Sequence, residues 1–200
     1  MAIPALILPL SGATSKVFLA VPVRNAKLGE KDERRGESME KRCYPSQPLV
    51  GVGAVVVREE KLLLVRRGKP PSPGLWSLPG GAQKTGETLP RAVEREVYEE
   101  CGLIIAAGPP IAVLDSIYTD NRGRVKYHYV LIDFWAEYRG GSLNPADDAT
   151  AACWVPLPKI ADYPLTSGLK ELLAEWGLLG GIPVSPPTGV LYRTIGGQSL

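Results

Sequence analysis

The sequence predicts an α/β domain. Three observations carry that expectation: a β-branched hairpin pattern that starts near Leu49, an amphipathic helix over Leu89 to Cys101 entered from a glycine-rich loop, and a second hairpin pattern between Ile111 and Tyr138. A chain of 200 residues suits one domain with extensions. Hydrophobic residues make up 44% of it, enough for a buried core.

The elements follow in order. Val50, Val52 and Ala54 to Val57 form the first strand pattern, Arg58 to Lys61 a polar turn, and Leu62 to Arg67 a second strand. Thr88 is placed as a helix N-cap and Pro90 falls in the first turn, where proline is tolerated. Gly102 suits a left-handed C-terminal residue. Ile111 to Thr119 reads as a strand, Asp120 to Gly123 as a turn, and Val125 to Tyr138 as a long strand. Gly140-Gly141 and Asn144-Pro145 break that pattern. Cys153 to Leu157 makes a short strand, and Thr166 to Trp176 an amphipathic helix with Leu169, Leu172, Leu173 and Trp176 on one stripe. The expected organisation is an N-terminal extension over 1–48, a domain over 49–176 and a loose Gly/Pro-rich tail over 177–200. Asn25 to Arg42 is dense in charge without an apolar period, as in a solvated segment. Met39 precedes the first strand closely, so translation from Met39 is one reading of the extension and a flexible arm is the other.

Composition removes several function classes. A net charge of +2 does not suit a general nucleic-acid binder. No run is apolar and long enough to span a bilayer. Met1 to Val23 is interrupted by Pro4, Pro9, Gly12 and Pro22 and lacks a leading basic segment, so it does not read as a signal peptide. Cys43, Cys101 and Cys153 are odd in number and far apart, which fits reduced thiols in the cytoplasm.

The chemistry concentrates between Gly80 and Leu103. At about 100° per residue, Glu96, Glu99 and Glu100 share one arc of the helix, while Val93, Val97 and Cys101 form the neighbouring apolar stripe. That stripe can hold the helix on a core and leave the carboxylates facing a cleft. Acidic clusters on helices are usually solvated faces. Adjacent carboxylates also repel one another, and a hard divalent cation with oxygen ligands relieves the repulsion. Magnesium would further neutralise diphosphate oxygens and activate water. The Gly80 carbonyl is placed to add an oxygen ligand where the loop meets the helix.

The complete spacing decides against a mere solvated face. Gly81, Glu87, Arg95, Glu96, Val97, Glu99, Glu100, Gly102 and Leu103 together resemble a Nudix box. A random window would match on the order of once in a billion. The similarity extends over roughly Leu49 to Trp176, through Trp76 to Gly80 and Trp154 to Leu157. It implies an α/β/α sandwich around a mixed β-sheet and hydrolysis of nucleoside diphosphates linked to another group. It implies that Glu96, Glu99 and Glu100 bind the metal, with Glu96 also a candidate to orient or deprotonate water. Arg95 is expected to brace a loop acid such as Glu87, with Gly81 and Gly86 serving loop geometry through positive φ.

Outside the box the expectations are looser. Arg66 or Arg67 is a phosphate contact, and Trp76 a base-stacking or packing residue. Asp148 is a further acid or a loop cap. Relatives often carry Glu shortly before the Trp, where this chain has Ala151 and Ala152. His128 is read as structural. The leading expectation is a hydrolase of ADP-ribose or a nucleotide sugar that uses Mg2+, with Mn2+ as a substitute. A MutT-like triphosphatase and a non-catalytic nucleotide sensor are the alternatives. The partner is a small nucleotide rather than nucleic acid or membrane, and the resemblance allows a homodimer.

Overall fold

The computed structural model describes residues 42–179 and 186–199. Met39 and most of the expected extension lie outside the described residues. β1 (Leu49–Arg58) and β2 (Lys61–Arg67) form the expected hairpin. Its two turn residues, Glu59 and Glu60, have φ of 50° and 58°. Positive φ at both central positions gives the turn a twist that matches right-handed strands.

Strand alternation then builds two cores. Val52, Ala54 and Val56 of β1 and Leu63 and Val65 of β2 face one core. Val55, Leu62 and Leu64 face the other. Helix α1 (Leu89–Cys101) covers the first through Ala92, Val93, Val97 and Cys101, all fully buried. The second is covered by a 3-10 helix (Leu157–Asp162) and helix α2 (Leu169–Glu175), through Leu157, Ile160, Leu169, Leu172 and Leu173. The result is an α/β/α sandwich.

The remaining strands are β3 (Trp76–Ser77), β4 (Gly80–Ala82), β5 (Leu103–Thr119), β6 (Val125–Gly141), β7 (Ala149–Pro156) and β8 (Leu191–Ser199). They run in the order β3-β2-β1-β6-β5-β8, with β4 on β1 and β7 on β2. The β1–β6 and β5–β8 pairs are parallel and the others antiparallel, so the sheet is mixed. β1 and β2 pair only near their turn, at Val57–Leu62 and Arg58–Lys61. Beyond it β1 takes β4 while β2 takes β3 and β7, so the two strands splay apart. The segment from Trp76 to Gly80 crosses that splay.

Several expectations change. The tail after Gly177 is not loose throughout: Leu191–Ser199 pairs in parallel with β5, and Leu191 and Ile195 pack against the second core. β5 starts at Leu103 rather than Ile111, and its register shifts around Pro110. β6 continues through Gly140 and Gly141. Within the expected extension, the Tyr44 N–H donates to the Lys126 carbonyl (2.8 Å) and the Tyr44 hydroxyl to Asp120 (3.1 Å). The end of that segment is therefore fastened to the β5–β6 turn.

Candidate active site

Helix α1 begins at the expected residue, although the Thr88 side chain makes no cap hydrogen bond. It ends on Gly102 at φ 69°, whose N–H donates to the Tyr98 carbonyl (2.9 Å). The Glu94 carboxylate accepts the Ala107 N–H (3.0 Å), tying the helix to β5. With Val93, Val97 and Cys101 sealed in the core, the arc of Glu96, Glu99 and Glu100 turns toward the glycine loop.

Two glycines let the loop approach that arc. The Gly80 N–H donates to Oε2 of Glu100 (2.9 Å). Gly80 has φ 153° and lies against the Val52 carbonyl, where a Cβ would collide with the backbone. Gly81 has no positive φ, contrary to expectation. Its role is space, because a Cβ there would lie 2.5 Å from Oε2 of Glu96. Gly86 does have the expected positive φ, 81°.

Arg95 organises the remaining acids. Its Nε and Nη2 donate to the two carboxylate oxygens of Glu87 (2.8 and 2.9 Å), and its Nη2 also to the Ala82 carbonyl (3.1 Å). Its Nη1 donates to Glu96 (2.6 Å) and Glu99 (2.8 Å). The guanidinium beside Glu87 holds that carboxyl below its usual range. In return, Glu87 first and then Glu96 and Glu99 raise the pKa of Arg95.

Burial sets the other two acids apart. It pushes the Glu96 carboxyl up, against the opposing charge of Arg95. Glu100 is 7% exposed, and burial pushes its carboxyl up to about 8 although the Gly80 N–H opposes the shift. The positive charge of Arg67 and the negative charges of Glu96 and Asp148 also act on Glu100.

The structure separates the two arginines. Arg66 is exposed and its Nε donates to the Gly74 carbonyl (3.1 Å). Arg67 is half-buried, and its buried Nε has no hydrogen-bond partner among the described residues. A bulge in the β2–β7 register between Arg66 and Arg67 sets the second arginine's direction. Asp148 pairs with Lys69, a residue that sequence reasoning did not single out and that no periodicity marks. Trp76 is not gathered to the carboxylates. It packs edge-on against Tyr163 (5.3 Å between ring centres) on the second core. His128 pairs with Ile117 inside the β5–β6 ladder.

The NUDIX domain family model matches residues 47–176. The chain belongs to the NUDIX family. It is therefore a Nudix hydrolase by family, and comparison with individual relatives agrees. It is 38% identical to an ADP-ribose pyrophosphatase of Methanocaldococcus jannaschii over 117 residues, 57% of this chain and 67% of that protein. It is 32% identical to a MutT-like protein of Streptomyces ambofaciens over 120 residues, covering 58% of this chain and 71% of that one. Among solved structures, an ADP-ribose pyrophosphatase from Streptococcus suis superposes with TM-score 0.52 at 25% identity. That match covers 74% of this chain and 99% of the other.

Nudix enzymes generally use divalent metal ions, and the donors here suit a hard cation in kind. Three carboxylates lie within little more than one helical turn, and Glu100 is buried with no ion pair to a described residue. Among the described residues, however, no three His, Cys, Asp or Glu side chains form a ready-made metal group. The reason is visible in the hydrogen bonds: Glu96 and Glu99 are both turned onto Nη1 of Arg95. Binding a cation therefore requires these two acids to exchange that contact for metal.

Proposed function

We propose that this chain hydrolyses a phosphoanhydride bond in a nucleoside diphosphate linked to another group, with ADP-ribose or a nucleotide sugar as substrate and Mg2+ as the metal. One observation carries the reading: the buried Glu100 carboxyl is held by the Gly80 N–H and feels the charge of Arg67, whose buried Nε has no hydrogen-bond partner among the described residues. A cation site and an anion site side by side suit a metal-bound diphosphate. Glu96, Glu99 and Glu100 would hold the metal, together with the Gly80 carbonyl. The metal would neutralise phosphate charge and lower the pKa of water.

The chain's own residues supply the rest. Arg67 meets the diphosphate. Arg95, fixed on Glu87, aligns Glu96 and Glu99. Water adds to one phosphorus, its proton passes to Glu96, and the anhydride P–O bond breaks to release the second phosphate. ADP-ribose gives AMP and ribose 5-phosphate. The ADP-ribose pyrophosphatase relatives support this substrate class. The MutT-like relative favours a second reading, a nucleoside triphosphate pyrophosphohydrolase. Free Cys43, Cys101 and Cys153 suit a reducing cytoplasm.

A panel of ADP-ribose, a nucleotide sugar, an oxidised nucleoside triphosphate and a dinucleoside polyphosphate, each with Mg2+, tests the reading. The expected result is the highest kcat/KM for ADP-ribose or the nucleotide sugar. Preference for the triphosphate would install the second reading. Tight nucleotide binding without turnover anywhere would make the domain a sensor.

A further inference from the structure

The carboxylate arc of α1 faces a second cation besides Arg95. Lys84 lies in the turn that follows β4, and its ammonium is 3.6 Å from Oε1 of Glu99. Arg95 meets the same carboxylate at its other oxygen, with Nη1 donating to Oε2 (2.8 Å). Glu99 is therefore flanked by positive charge on both sides. The charge of Lys84 also reaches Glu87 and Glu96, where it acts in the same direction as that of Arg95.

The backbone of Lys84 is fixed, while its ammonium is not. Its N–H donates to Oε2 of Glu87 (3.1 Å), the oxygen that also accepts from Nη2 of Arg95. Its carbonyl accepts the Glu87 N–H (3.1 Å), and the neighbouring Gln83 N–H donates to the Val50 carbonyl of β1 (3.1 Å). The turn thus presents Lys84 at a set place beside the helix. The side chain itself is exposed, and Glu99 is its one ion-pair partner among the described residues. Arg95, by contrast, is anchored on Glu87 and the Ala82 carbonyl as well as on Glu96 and Glu99. Of the two cations on Glu99, Lys84 is the one that can leave without unfastening the glycine loop from the helix. Exposed ion pairs are weak, so this contact contributes little to the stability of the fold. It matters because it occupies a carboxylate that a hard divalent cation would need.

We propose that Lys84 is a positioning residue that sets the metal affinity of the site: its ammonium holds Glu99 before metal binds and competes with the incoming cation for that carboxylate. The proposal rests on the functional reading above for its metal. The exchange of Glu99 from Arg95 to metal then has a second cation to displace. The glycine loop would thereby offer the metal a ligand at Gly80 and a rival at Lys84.

The test measures divalent-metal binding to the full chain without substrate. Mg2+ binding is followed by calorimetry, and Mn2+ binding by electron paramagnetic resonance of the free ion, which reaches weak sites. The variants are Lys84→Gln, Lys84→Arg, Glu99→Gln and the double change of Lys84→Gln with Glu99→Gln. Lys84→Gln removes the competitor, so both metals are expected to bind roughly 2–5-fold tighter. Lys84→Arg keeps the charge and is expected to stay near the native affinity. Glu99→Gln weakens binding, and in that background Lys84→Gln is expected to add nothing, because the contested carboxylate is gone. Native or weaker affinity in Lys84→Gln would overturn the proposal. Equal tightening with and without the Glu99 carboxylate would overturn it too, since Lys84 would then act only as a distant charge. Both of these results leave the functional reading standing. Absence of metal binding to the native chain is the different outcome that defeats the functional reading and the proposal with it.

Discussion

Removing the Arg95 guanidinium should expose how the site balances its charges. Arg95→Met keeps much of the aliphatic stem and deletes every donor. Arg95 is 19% exposed in its side chain, Glu87 16% and Glu96 12%, so three largely desolvated groups lose their partners together. Breaking a buried pair by deleting one member is destabilising by about 3–5 kcal/mol. Residual exposure and the freedom of Glu99, 38% exposed, place this variant at the lower end, ~3 kcal/mol. For a chain of this size that lowers Tm by roughly 6–12 °C. The assay is thermal unfolding followed by circular dichroism at pH 8 in EDTA, then with saturating magnesium. Metal should narrow the deficit, because a cation then relieves the repulsion between Glu96 and Glu99 that Arg95 no longer offsets. An unchanged Tm in EDTA would refute the bracing role, and an equal deficit with and without magnesium would refute the link between brace and metal.

Other perturbations separate geometry from charge. Gly81→Ala drives a Cβ into the Glu96 carboxylate, so kcat should fall roughly 10–100-fold while Tm moves little, measured by steady-state kinetics beside unfolding. Arg67→Ala should raise KM for the diphosphate more than it lowers kcat, and an unchanged KM would remove Arg67 from the substrate site. Glu100 gives a pH signature. Its folded pKa, about 8, lies above its ordinary 4.5, so the neutral acid contributes stability at low pH. That contribution is lost as pH rises toward 8. Magnesium must displace this proton, so its affinity should rise about tenfold per pH unit up to roughly pH 8 and then level, measured by calorimetry. A flat profile from pH 6 to 8 would contradict the assignment.

Local signals were legible in the sequence and long-range ones were not. The bounds of α1 follow from Thr88, Pro90 and Gly102, and its buried stripe from a spacing of four, because caps and periodicity are properties of neighbouring residues. The pairing of Arg95 with Glu87 was likewise anticipated within the motif. The expected strand over Ile111 to Thr119 extends back to Leu103, because the structure absorbs the segment around Pro110 as register shifts against β6. β8 gives no local signal: its residues pair only because β5 offers an open edge. The choice between Arg66 and Arg67 depends on a bulge against β7, far away in sequence.

The most direct measurement is magnesium binding and ADP-ribose turnover in parallel for the native chain and for Glu96→Gln, Glu99→Gln and Glu100→Gln. Each change keeps the shape of the side chain and removes its charge. The expected result is weaker magnesium binding in all three, with kcat/KM falling at least about 100-fold for the partly buried Glu96 and the buried Glu100 at saturating metal. Native magnesium affinity and near-native turnover in Glu100→Gln would contradict a metal-dependent hydrolase centred on this helix.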